Sequence, residues 1–181
     1  MLAAMLALAT SAAGAPPDSA RPAPQLALRT LDGTTRGLES APDRLILVHF
    51  FATWCEPCRD EMAALDRLSA HMKDRLVILA VDVGEPEVRV RRFFDTREPN
   101  FPILLEEDRA AMKRWGVNAF PTSFLVDGTG GARTIRLTAA IPVDWDDPAP
   151  SRILERLVAG EALGAGDTLP ETKDQPSGDS Q

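Results

Sequence analysis

The chain has 181 residues, enough for one domain with tails, and 44% hydrophobic against 26% charged residues describes a packed core rather than a disordered chain. A formal net charge of −7 offers no cationic face for phosphate, so nucleic acid is excluded as the expected partner. The two cysteines cannot staple a small disulfide scaffold, and with two distant histidines they do not supply the ligand set of a structural zinc site, so no metal is expected.

Met1 to Pro17 carries no side-chain charge, Leu2 to Ala13 is continuously apolar or small, and Ala13-Gly14-Ala15 has the small-x-small form of a signal cleavage site. No Lys or Arg precedes the run. It is shorter than the roughly 20 residues a membrane-spanning helix needs. Residues 1–24 are therefore expected to be a removed export signal and a Pro/Ala/Ser-rich linker rather than an anchor. Export would set the protein in an oxidising periplasmic or other extracytoplasmic compartment.

Residues 25–163 are expected to form the domain. Leu31-Asp32-Gly33-Thr34 predicts a β-hairpin through its Asp-Gly turn. Arg44 to Phe51 is apolar along most of its length and suits a central strand buried on both faces. From Cys55 to Lys73, apolar residues at 58, 62, 65, 68 and 72 make one helical stripe, with Asp60 and Glu61 in the first turn, where the helix dipole favours acids. Leu76 to Val83 reads as the next buried strand. Gly84-Glu85-Pro86 then opens a helix with Pro86 at its first position and Val90, Phe93 and Phe94 facing in. Arg89, Arg91, Arg92 and Arg97 are expected on its solvated side, with Glu87 and Arg91 paired.

A short strand over Phe101 to Leu105, a helix over Asp108 to Trp115 capped by Gly116, and strands over Thr122–Val126 and Ala132–Thr138 follow. Ser151 is the expected N-cap of a last helix that buries Ile153, Leu154, Leu157 and Val158. Residues 164–181 are polar and acidic and are expected to be disordered. Alternating strands and helices ending in a hairpin predict an α/β fold, a mixed sheet flanked by helices.

The chemistry is concentrated in Trp54-Cys55-Glu56-Pro57-Cys58, which holds both cysteines and joins a buried strand to a helix. At a helix N-terminus, unpaired backbone N–H groups and the dipole stabilise an anion, so Cys55 is assigned as the nucleophilic thiol. Cys58, one turn in on the buried stripe, is the resolving thiol. Glu56 places a negative charge beside Cys55, which disfavours the thiolate and makes the pair more reducing. That puts it nearer thioredoxin, at about −270 mV, than the oxidant DsbA, at about −120 mV. Pro57 is tolerated in the first helical turn and stiffens the ring. The redox-active disulfide serves in place of a cofactor, and none is expected.

Three stretches resemble the TlpA/ResA/CcmG group of exported thiol-disulfide oxidoreductases in the thioredoxin superfamily. They are Phe50 to Arg59, Val81-Asp82-Val83-Gly84-Glu85, and Gly116 to Asp127 with Phe120-Pro121 at its centre; Val143-Asp144-Trp145-Asp146 is similar too. The resemblance implies a thioredoxin-like fold with an insertion over Val83 to about Leu105. It implies a cis Pro121 facing the thiols, and a Glu85 close enough to influence their titration, to take a proton from Cys58 or to hold substrate. Trp54 and Phe120 are expected to flank the thiol groove. His49 departs from the pattern, standing where thioredoxin has a buried Asp and the group often has Asn; there it can relay protons or simply be hydrogen-bonded core. His71 reads as surface.

The resemblance further implies a monomeric protein-disulfide reductase. Its partners would be protein thiols or disulfides, among them apocytochrome c or other exported thiol proteins, and a membrane electron donor of the DsbD/CcdA type. Two alternatives stay open. Peroxiredoxins share the fold but carry their nucleophile in a Thr-x-x-Cys context, where Ala52 stands here. A redox-gated binding module would use the same disulfide without turnover.

Overall fold

The computed structural model describes residues 21–96, 98–164 and 166–172. The signal-like segment to residue 20, Arg97 and the end of the tail lie outside the described residues. Among the described residues, eight strands and four α-helices alternate largely as the apolar runs predict. They are β1 (Arg21–Pro22), β2 (Ala27–Arg29), β3 (Thr35–Gly37), β4 (Leu45–Phe51), α1 (Glu56–Met72), β5 (Leu76–Val83), α2 (Glu87–Phe94), β6 (Ile103–Glu106), α3 (Ala110–Trp115), β7 (Thr122–Asp127), β8 (Thr134–Ala139) and α4 (Pro148–Val158).

The main sheet runs β1-β8-β7-β4-β5-β6. β4 pairs in parallel with β5 and antiparallel with β7, so it lies at the centre with every residue buried, as its unbroken apolar sequence requires. Alternate residues of β4 serve two cores. Leu45, Leu47 and Phe51 pack with both cysteines, Met62 and Leu65 of α1, Phe94 of α2 and Leu154 of α4. Ile46, Val48 and Phe50 pack with Trp115 of α3, Phe124 of β7 and Leu26. The β2–β3 hairpin forms around Gly33, whose φ of +84° a side chain would resist, and it makes a separate two-stranded sheet.

Several expectations need correction. Pro86 is the N-cap of α2, not its first residue. α4 begins at Pro148, ahead of Ser151, and Asp147 caps it by accepting the Ala149 N–H. Two prolines fit this first turn because N–H groups there have no helical partner. The domain also extends past 25–163 at both ends. Arg21–Pro22 adds an edge strand to β8. Beyond Leu163, Leu169 is buried, Glu171 bridges Val143, and Thr172 N–H donates to the Pro142 carbonyl. This part of the expected disordered tail is therefore packed against the loop before α4.

Candidate active site

β4 delivers the chain to the site. Phe51 ends the strand, Ala52 and Thr53 turn it, and Cys55 becomes the N-cap of α1. Its Sγ accepts from the Cys58 N–H at 3.3 Å, and Pro57 falls in the first turn. Cys55 and Cys58 are joined as a disulfide with a Cα–Cα distance of 5.3 Å. Cys58 is wholly buried, whereas Cys55 borders a groove of about 440 Å³ lined by Trp54, Cys55, Glu56, Pro57, Asn118, Ala119 and Phe120. Trp54 is 63% exposed and meets the Phe120 ring edge-on, with centroids 5.9 Å apart. The two aromatics flank the groove as expected. The Phe120–Pro121 bond is cis.

Glu85 is buried but engages the backbone ahead of the cysteines rather than a free cavity. Its Oε2 accepts the Thr53 N–H at 2.5 Å and its Oε1 accepts the Thr53 hydroxyl at 2.8 Å. Arg89 approaches Oε1 at 3.8 Å from the exposed side of α2. The connection from Glu85 to the thiols therefore runs through Thr53, two residues before Cys55.

His49 is fully buried on the face of β4 that packs under α1. Its Nδ1 lies 2.9 Å from the Ser123 hydroxyl and its Nε2 lies 3.5 Å from Oε2 of Glu61. Glu61 is equally sequestered, and its other oxygen accepts the Val143 N–H. Burial pushes His49 down to about 3 and Glu61 up to about 8. Separation of charge between them is opposed by desolvation, and 3.5 Å is long for a charge-assisted hydrogen bond. Burial thus favours the uncharged form of each partner.

Two acids here escaped the sequence reading. Glu61, assigned to the helix dipole, points inward. The signal was its spacing, three after Cys58 and four before Leu65, on the same buried stripe. Asp82 is fully buried near the end of β5, where burial first, and Glu85 beside it second, raise it to about 8. The signal there was a lone acid inside an apolar strand. His71 is exposed, and Glu87 pairs with Arg91 at 2.6 Å, both as expected.

A cysteine pair closed as a disulfide at the head of a helix, beside an aromatic groove and a cis proline, defines a thioredoxin-fold thiol-disulfide oxidoreductase. Comparison with known proteins agrees. Over 118 residues the chain is 35% identical to the thioredoxin-like protein YneN of Bacillus subtilis, spanning 64% of this chain and 69% of that one. It is 33% identical over 114 residues to the thiol-disulfide oxidoreductase ResA of Geobacillus thermodenitrificans, spanning 62% of this chain and 66% of that one. The matches thus cover about two thirds of these relatives' length. A thioredoxin-family thiol:disulfide interchange protein from Chlorobium tepidum superposes with a TM-score of 0.66 at 25% identity, covering 77% of this chain and 97% of that one. Residues 20–135 match the AhpC/TSA family, and the chain belongs to it.

Proposed function

We infer that the protein is an exported disulfide reductase that exchanges its dithiol with disulfides of protein substrates. The observation that carries this reading is the division of labour in the ring: Cys55 caps α1 at the groove, and Cys58 is sealed behind it. In the reduced protein the Cys55 thiolate attacks a substrate disulfide. A bond to Cys55 Sγ forms and one substrate sulfur leaves as thiolate. Cys58 then attacks Cys55 Sγ, closes the ring and expels the second substrate thiolate. The substrate gains two electrons and the ring holds the oxidised product.

Glu61 lies on the same buried face of α1 as Cys58, with His49 behind it. Glu56, exposed at the first position of α1, biases the pair toward reduction. The chain has no nucleotide-binding fingerprint, so another dithiol must restore the electrons, and in an oxidising compartment a membrane donor of the DsbD/CcdA type suits that role. Apocytochrome c or other exported thiol proteins are the substrates this reading favours.

A peroxidase has less support. Ala52 offers no hydroxyl, and the Thr53 hydroxyl donates its proton to Glu85 instead of facing the groove unpaired. Cys58→Ser in the native host is the direct test. It should trap substrate chains as mixed disulfides on Cys55 and abolish turnover. Absence of such adducts would reverse the order of the thiols, and peroxide consumption that survives the substitution would favour the peroxidase.

A further inference from the structure

Two buried carboxyl groups, Asp82 and Glu85, interact at the end of β5. Asp82 sits in the sheet between Phe51 of β4 and Leu105 of β6, on the strand face that packs under α1. The chain then turns at Gly84, with φ +75°, and presents Glu85. Both Glu85 oxygens are occupied as acceptors by Thr53. Neither Asp82 oxygen meets a donor with hydrogen-bonding geometry, although it is fully buried. Burial first, and Glu85 beside it second, favour the protonated form of Asp82.

We propose that Asp82 is a positioning residue of the active site: its neutral carboxyl buttresses Glu85, which holds Thr53 and thereby the turn that sets Cys55 at the head of α1. The charged groups around this pair do not substitute for it. Arg89 reaches the outer oxygen of Glu85 at 3.8 Å but is itself 62% exposed, and Arg109 packs over Gly84. Glu61 and His49 are committed to each other, Val143 and Ser123, and Glu106 accepts the Ala111 and Met112 N–H groups of α3. Ionising Asp82 therefore places a negative charge beside Glu85 that, among the described residues, no ion pair to Asp82 neutralises. Glu85 then loosens its hold on Thr53, and added negative charge near the thiol turn disfavours the Cys55 thiolate.

The test is a carboxyl-carbon NMR titration of the oxidised full chain, with the Thr53 amide followed in the same spectra. Wild type, Asp82→Asn and Glu85→Gln are compared. Asp82 should titrate near 8 rather than near its ordinary 3.8, with the Thr53 amide shifting in the same step. Asp82→Asn should remove that step from Thr53, and Glu85→Gln should lower the Asp82 midpoint. In the reduced protein, the alkaline arm of Cys55 alkylation by iodoacetamide should be about threefold slower in wild type than in Asp82→Asn, equivalent to roughly half a pKa unit.

An Asp82 carboxyl that titrates below about 5, where ordinary acids do, overturns the proposal. So does a Thr53 step that survives Asp82→Asn, or superimposable alkylation profiles. The wild-type titration decides the matter even if Asp82→Asn does not fold. The proposal rests on Cys55 as the reacting thiol, but the carboxyl titration uses no substrate, so its failure is separable from failure of the reductase reading.

Discussion

His49 and Glu61 meet between β4 and α1, while Asp82 and Glu85 meet at the end of β5, and all four side chains are buried. The first contact joins a base to an acid; the second joins two acids. For His49, pushed down to about 3 from 6.5, the unfolded chain binds the extra proton, so stability rises with pH across that interval. For Glu61, pushed up to about 8 from 4.5, the folded state keeps a proton that the unfolded chain has lost, so stability falls as pH rises between those values. Between about 4.5 and 6.5 the two slopes oppose one another. Asp82, raised to about 8 from 3.8, has the same sign as Glu61 but no histidine beside it, so its contribution falls throughout that window. The contrast teaches that burial of an acid is not in itself a pH liability; the partner decides. The uncompensated acid is the one wired to Cys55 through Glu85 and Thr53.

The sharpest way to break this contrast is to neutralise each acid in turn. Asp82→Asn should remove a fall of roughly 1 kcal/mol per pH unit, leaving the profile near flat between about 4.5 and 6.5, where His49 and Glu61 oppose one another, with the Glu61 fall remaining above 6.5. Glu61→Gln sets the His49 rise against the Asp82 fall, so only the double variant Asp82→Asn/Glu61→Gln exposes His49, and its stability should climb with pH up to about 6.5. Urea unfolding at a series of pH values reads both. A double variant whose stability does not climb over that interval would show that burial does not hold His49 neutral. A smaller effect is expected from Thr53→Val, which removes the hydroxyl from Glu85 but leaves the backbone N–H. It should cost about 1 kcal/mol in the same unfolding assay, the worth of one hydrogen bond. A loss several times larger would mean that Glu85 depends on the hydroxyl far more than on the backbone.

Much of this was legible in local sequence. The unbroken apolar run before Trp54 marks the central strand, the stripe from Cys58 to Met72 marks the face that α1 buries, and Asp32-Gly33 marks the hairpin. Gly116 caps α3 with φ +70°, as a helix end requires. What escaped depends on residues far apart in the chain. An acid in a first helical turn already has a surface explanation in the dipole. Only the fold brings the Val143 N–H and His49 to Glu61. Asp82 becomes critical only once register places it against Phe51 and the Gly84 turn returns Glu85 beside it. The packed stretch around Leu169 has the same origin, since its polar sequence conceals a bridge back to Val143.

The central claim is that Cys55 and Cys58 form a reductant. It is tested most directly by the midpoint potential of the pair, measured by equilibrating the full chain against a defined thiol–disulfide redox buffer. The account predicts a value nearer the roughly −270 mV of thioredoxin than the roughly −120 mV of DsbA. A pair that equilibrates close to the DsbA value would make the protein an oxidant and contradict the assignment.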